Sequence, residues 1–296
     1  MDGTVGRSVF LIAGAQKSCS TSLAAALSKH PMVVLAADEA THFEGRFWRF
    51  KQRAVIRAAN RAARNGRHLG LKRPEFLHQP GLAQRVVHAF PGASAVAVLR
   101  EPGDRAISAY FHWVDHGLLR AERDFEAHLT RLFTKGPKTS AERMIVDYSR
   151  YHRAAEQLQE SFGERTMFVF QDELLDDPSG WLGSIMTHIG VERGHTLTLD
   201  ERNVGRYPRS RNAAAVIFGA LSYRYEGTPA VVTVRPRFAR ALGAPFGQFR
   251  PAARRSFGRP EVSDTLRAAM REYYSSDLES LEALLGRAVP SAWLRG

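Results

Sequence analysis

Four short apolar runs stand out along the chain: Ser8–Ala13, Val33–Ala37, Ala93–Leu99 and Thr166–Phe170. They are rich in Val, Ile, Phe and Ala, the pattern of strands covered on both faces. Helical spacing follows three of them, over Thr21–Lys29, Asp104–His116 and Ser179–Ile189, and a long helix over about Met144–Phe162 precedes the last. Strand and helix in alternation predict an α/β fold, a central parallel sheet flanked by helices on both faces. Ligands of such sheets sit at the carboxyl ends of the strands. No internal repeat, Gly-Ser linker or low-complexity block divides the chain, so one domain is expected over residues 1–296. Val9 to Ala13 is too short for a signal-peptide core. Ala213 to Tyr223 stops at Arg224, well short of the ~20 residues of a membrane span. The expectation is a soluble, cytoplasmic protein without a transmembrane segment.

The first run leads into Gly14-Ala15-Gln16-Lys17-Ser18-Cys19-Ser20-Thr21-Ser22-Leu23, within which a helix begins. Backbone N–H groups at a helix start, with the dipole behind them, favour an anion. Lys17 adds a point charge, and Ser18, Ser20, Thr21 and Ser22 add hydroxyl donors. So many polar residues after a buried strand make a poor core and a good phosphate cradle. A nucleoside-triphosphate loop would read G-x-x-x-x-G-K-[ST]. Here Lys17 comes too early for that pattern, and Ala93–Leu99 ends in Arg100 where a magnesium-binding Asp would be wanted. A P-loop nucleotide kinase is therefore the alternative enzyme reading, and no metal is expected.

Charge sharpens the picture. The 296 residues carry 42 Lys+Arg against 30 Asp+Glu, a formal +12, which predicts an anionic partner. Of the 42 cations 36 are Arg, the side chain suited to bidentate anion recognition. Cys19 is the only cysteine, which excludes an intrachain disulfide and suits a reducing compartment. Two segments hold most of the excess. Residues 46–67 carry eight cations and no acid, with Arg53, Arg57, Arg61 and Arg64 at helical spacing; residues 206–259 carry eleven cations and one acid, Glu226. Aromatic residues interleave both. They read as walls of an acceptor cleft or as solvated faces. Single-strand nucleic acid is the rival partner, but no nucleic-acid module accompanies them, and none is expected as a partner. A non-catalytic basic nucleotide-binding or nucleic-acid-binding module is the non-enzyme alternative.

The segment Phe10–Leu23 resembles the 5′-phosphosulfate loop of sulfotransferases that use 3′-phosphoadenosine 5′-phosphosulfate (PAPS), G-x-x-K-S-G-T-T-x-L. By that resemblance Lys17, Ser18, Cys19, Ser20, Thr21 and Ser22 hold the 5′-phosphate and the sulfuryl group. Cys19 replaces the usual glycine and Ser20 a threonine. The family's 3′-phosphate motif, R-x-P-x-x-R-x-x-S-x-Y, is matched at Arg100, Pro102, Arg105, Ser108 and Tyr110. It assigns Arg100 and Ser108 to the 3′-phosphate and Arg105 to the fold. A nucleotide held at both phosphates excludes ATP. Asp38-Glu39-Ala40-Thr41-His42-Phe43-Glu44 resembles the family's K-E-x-H-F-F, where Glu is often the base in carbohydrate sulfotransferases and His in the small-molecule branch. Glu39 is thus the first candidate base and His42 the second, with Asp38 and Glu44 behind them. The spacing is one residue longer than usual, Asp38 replaces the Lys and Glu44 the second Phe. Leu71–Leu77 resembles K-[ST]-P-x-[YF]-L, which makes Lys72 a second cation between donor and acceptor. Asn203–Arg211 fits a loop that closes over the nucleotide, with Arg206, Arg209 and Arg211 within reach of phosphate or acceptor. Phe162–Val191 and Leu266–Trp293 resemble structural parts of the family, and residues 206–260 match least. The resemblance implies sulfuryl transfer from PAPS to a hydroxyl, with an amine as second choice, on a sugar, glycolipid or glycosylated small molecule, leaving adenosine 3′,5′-bisphosphate.

Overall fold

The structure, a computed structural model, describes residues 6–35, 39–115, 119, 124–193, 195–200 and 260–294. The expected end of the second strand (Ala36, Ala37), Asp38, Arg206, Arg209, Arg211 and the second basic segment up to 259 lie outside the described residues. The chain divides into two compact units, the first within Met1–Glu101, Tyr151–Asn203 and Asp277–Trp293, the second within Pro102–Arg150, Val204–Ser276 and Leu294–Gly296.

The first unit holds a five-stranded parallel sheet: β1 (Val9–Gly14), β2 (Val33–Leu35), β3 (His68–Lys72), β4 (Ser94–Leu99) and β5 (Thr166–Phe170), in the order β2-β3-β1-β4-β5. Its helices are α1 (Ser20–Leu27), α2 (Trp48–Arg64), α3 (Pro80–Ala89), and further along the chain a helix at His152–Phe162 and a pair at Gln171–Asp176 and Pro178–His188. Side-chain alternation along the strands separates two cores. Val9, Leu11 and Ala13 of β1 and Ala95, Ala97 and Leu99 of β4 pack with α2, α3 and Leu158; Phe10, Ile12, Val96 and Val98 pack with α1 and with Leu182 and Ile185. Helices therefore cover both faces, as the apolar runs require.

β3 was not among the expected strands. Its sequence, His68-Leu69-Gly70-Leu71-Lys72, has too few β-branched residues to stand out. It pairs on both sides, Leu69 with Val9 and with Val34. A Cβ at Gly70 would lie 2.5 Å from both Phe10 Cζ and Leu35 Cδ2, so the glycine is what lets the neighbouring strands' side chains meet there.

The second unit contains α4 (Pro102–Asp115), α5 (Phe125–Lys135), α6 (Ser140–Val146) and the part of a long helix, Asp264–Leu285, that runs up to Ser276. Ile107, Tyr110, Leu129, Met144 and Tyr274 form its core. The long helix expected over Met144–Phe162 is two helices. α6 ends at Val146, a 3₁₀ turn occupies Asp147–Ser149, and α7 begins at His152 and ends at Phe162. Buried Arg105 donates from Nη2 to the carbonyls of Met144 (2.9 Å) and Ile145, which takes up the end of α6. It also donates from Nε to Ser149 Oγ at 2.5 Å, and that hydroxyl donates to Pro102 O at 2.9 Å. In the first unit, Asp277 accepts from Tyr151 N (2.6 Å) and His152 N (3.3 Å), so a side chain 126 residues away caps α7. Local periodicity carries no trace of either contact. The remaining helices are α8 (Gln171–Asp176), α9 (Pro178–His188) and α10 (Asp264–Leu285).

Candidate active site

β1 runs out at Gly14, where a Cβ would meet Pro74 O at 2.9 Å and Leu77 Cβ at 3.0 Å. The chain then turns sharply. Ala15 N donates to Val98 O at 2.6 Å, Ser18 N donates to Ala15 O at 3.2 Å, and α1 starts at Ser20. Lys17 and Cys19 both lie in the left-handed region, with φ of 73° and 47°. This bends the loop around the N-terminus of α1. Lys17 and Thr21 are partly exposed, while Ser18, Ser20 and Ser22 are buried. Ser18 Oγ, fully enclosed, has no hydrogen-bond partner among the described residues. Arg100, at the end of β4, donates to Lys17 O at 3.2 Å and ties the second candidate cation to the loop. The Tyr151 hydroxyl donates to Arg100 O at 2.9 Å and fixes that strand end. Burial pushes the Cys19 thiol up to about 12, with Arg100 pulling it down and Asp172 adding to the rise.

β3 ends beside the same loop, Lys72 pairing in register with Ile12. Arg73 N donates to Ile12 O (3.1 Å), and Ala40 N donates to Lys72 O (2.9 Å). The second bond places Glu39 beside Lys72, whose Nζ lies 3.4 Å from Glu39 Oε1. Arg73 then gathers three carboxylates: Glu39 Oε2 on Nη1, Glu44 Oε1 at 2.6 Å from Nε and Glu75 Oε2 at 3.3 Å from Nε. Only Glu39 of the three opens to solvent, its side chain 39% exposed against 4% for Glu44. Burial raises Glu44, and it raises Glu75 to about 7, while the Arg73 charge opposes both shifts.

Sequence reasoning missed Arg73 and Glu75. A signal existed, because Arg73 and Glu44 occupy positions where the family pattern has Ser/Thr and Phe, and these two departures are bonded to each other. His42 lies on a 3₁₀ turn, Thr41–Phe43, half-buried, with Nδ1 enclosed and unpartnered among the described residues. Burial, with the Lys51 charge adding to it, holds the imidazole below its usual range. The structure thus brings Lys17 to Ser22, Arg100, Glu39 and Lys72 to neighbouring strand ends of one sheet. Ser108 belongs to the second unit, on α4 and buried; near it in sequence, the Tyr110 hydroxyl lies 3.5 Å from His128 Nδ1. Among the described residues, no cluster of three or more His, Cys, Asp or Glu is arranged to hold a metal ion. No described helix is long and apolar enough to cross a membrane.

Among solved structures, the chain is similar to a sulfotransferase from Alicyclobacillus acidocaldarius, with a TM-score of 0.64 at 20% identity over 97% of this chain and 98% of that one. That likeness is one of fold. Looser matches are the sulfotransferase domain from the curacin biosynthetic pathway (TM-score 0.45, 12% identity, 95% and 98% covered) and a mouse sulfotransferase complexed with PAP (TM-score 0.37, 15% identity, 90% and 88% covered). No curated protein matches the chain in sequence. The model of the sulfotransferase family matches residues 38–195, more than half of the chain and including Glu39, His42, Lys72, Arg100 and Ser108. The chain belongs to the sulfotransferase family.

Proposed function

We propose that this sulfotransferase transfers a sulfuryl group from PAPS, the donor its family uses, to a hydroxyl on a sugar, glycolipid or glycosylated small molecule, with Glu39 as the base. One arrangement carries the reading: Ser18 Oγ, enclosed and without a partner among the described residues, sits in a loop that Arg100 braces, beside a strand end that carries a lysine-paired carboxylate. These residues fit a sulfated nucleotide. Lys17 with the Ser18–Ser22 backbone and hydroxyls would hold the 5′-phosphate and sulfuryl oxygens, and Arg100 the 3′-phosphate. Ser108 is assigned to the 3′-phosphate, and Arg209 and Arg211 to the nucleotide, by sequence motif alone. PAPS when bound supplies the sulfuryl group and leaves as adenosine 3′,5′-bisphosphate.

The chain's own residues do the rest. Lys17 and the α1 N-terminus stabilise negative charge gathering on the sulfuryl and bridging oxygens. Lys72, 3.4 Å from Glu39 Oε1, would add a second cation between donor and acceptor. Glu39 Oε1 and Oε2 are fixed by Lys72 and Arg73, and the carboxylate takes the proton of the acceptor hydroxyl as its oxygen bonds to sulfur. His42, uncharged at neutral pH, is the second candidate for that proton.

Melting curves test the donor. A nucleotide at 100 times its Kd stabilises a fold by about 2.7 kcal/mol, roughly 2–4 °C per kcal/mol for a domain of this size or somewhat less. Adenosine 3′,5′-bisphosphate without metal should give this shift, and ATP with magnesium little. The reverse ranking would overturn the reading. Lys17→Ala and Arg100→Ala should each abolish the shift. Glu39→Gln should keep it and lose turnover of labelled donor by roughly 10²–10⁴-fold; full turnover would move the base to His42.

A further inference from the structure

α2 turns its apolar side inward and leaves an unusual outer face. Val55, Ala59 and Ala62 are buried. At about 100° per residue, Phe50, Arg53, Arg57, Arg61 and Arg64 fall together on the opposite side, and all are exposed. Phe47, just before the helix, joins them. Phe47 and Phe50 are 67% and 71% exposed, more than any other large hydrophobic side chain among the described residues. Each ring has an arginine beside it: the Arg46 guanidinium lies 5.3 Å from the Phe47 centroid and that of Arg53 5.6 Å from Phe50. At the far end, Arg57, Asn60, Arg61, Arg64 and Asn65 line a concavity of about 330 Å³. The ridge from Phe50 to Arg64 is roughly 21 Å long, at about 1.5 Å per residue.

We propose that this face of α2 docks the protein on an anionic membrane. The arginines and the concavity would meet phosphate-bearing headgroups, and the two rings would enter the headgroup layer as a wedge. The absence of any acid between Arg46 and Arg67 removes the repulsion that most surface helices would present. A single-stranded nucleic acid would want rings spread along its track, whereas both rings here lie at one end. Lys51 Nζ donates to Thr41 O at 3.2 Å, which fastens the ring-bearing end of α2 to the turn that carries His42. A docked protein would thus hold the Glu39 side of its site toward acceptors carried by lipid; that last step rests on the proposed function, while the membrane contact does not.

The experiment is sedimentation of the full chain with vesicles of equimolar phosphatidylserine and phosphatidylcholine, and with pure phosphatidylcholine. Binding to the first only, released by high salt, is expected. Arg53→Ala/Arg57→Ala/Arg61→Ala/Arg64→Ala should weaken it roughly a thousandfold, and Phe47→Ser/Phe50→Ser about tenfold. Both variants should keep the parent's circular dichroism and its melting shift with adenosine 3′,5′-bisphosphate, which reads donor binding separately. The proposal falls if anionic vesicles are not bound or if the four-arginine variant binds them as tightly as the parent. It also falls if a single-stranded oligonucleotide or heparin is captured through those arginines while vesicles are not.

Discussion

At Cys19 the backbone sits at φ 47° and ψ 17°, where the Cβ of an L-residue crowds its own carbonyl at a cost of roughly 1–2 kcal/mol. Glycine, the residue of the resembling loop pattern at this position, escapes that crowding. Cys19→Ala keeps the strain and loses the thiol's packing against the α1 core; Cys19→Gly loses the packing and relieves the strain. The glycine variant should therefore be more stable than the alanine variant by about 1 kcal/mol in urea unfolding, and the opposite order would argue against a left-handed residue 19. Glu75 offers a second test. Its carboxyl is raised by folding, so the native chain holds that proton more tightly than the unfolded one. Its share of stability is intact below about 4.5 and is lost as pH climbs through about 7. Glu75→Gln should flatten that part of the stability curve, and equal slopes in both proteins would place the titration elsewhere. Lys17, Glu39, Lys72 and Arg100 each stand in a spaced motif, so the sequence alone could propose them as one candidate site. Arg73 was not legible in this way, because its partners Glu39 and Glu44 lie 34 and 29 residues away and meet it only where β3 leaves the sheet.

Among the elements, strands β1, β4 and β5 and helices α1, α4 and α9 could be read from hydrophobic pattern within a residue or two, since covered strands and amphipathic helices write themselves into composition. β3 could not, because Gly70 answers to its neighbours' side chains and not to its own strand preference. The break between α6 and α7 was equally hidden. It depends on Arg105, Ser149 and Asp277, which act across the chain. Asp277→Ala removes the acceptor for two backbone N–H groups at the start of α7 and should cost about 1–2 kcal/mol. Asp277→Asn, which keeps an oxygen there, should recover most of it. Amide exchange at Tyr151 and His152 reads the effect directly, and unchanged protection in the alanine variant would show that the cap is not what starts α7.

At the scale of the whole chain, the first unit is closed by residues from both ends. Trp293, 2% exposed, rests edge-on against Phe170 with centroids 5.1 Å apart and donates from its indole nitrogen to Asp172 at the head of α8. Trp293→Ala should cost about 3–5 kcal/mol, seen as a lower urea midpoint; a loss under 1 kcal/mol would mean the C-terminal turn adds little to the sheet. Charge is distributed as unevenly as sequence. The formal +12 draws anions toward the molecule as a whole. Around Glu39, however, two cations are answered by three carboxylates. Within that cluster the charges of Lys72 and Arg73 are already matched. Under the proposed function, a freshly sulfated acceptor would gain little from these two cations, and that favours its release.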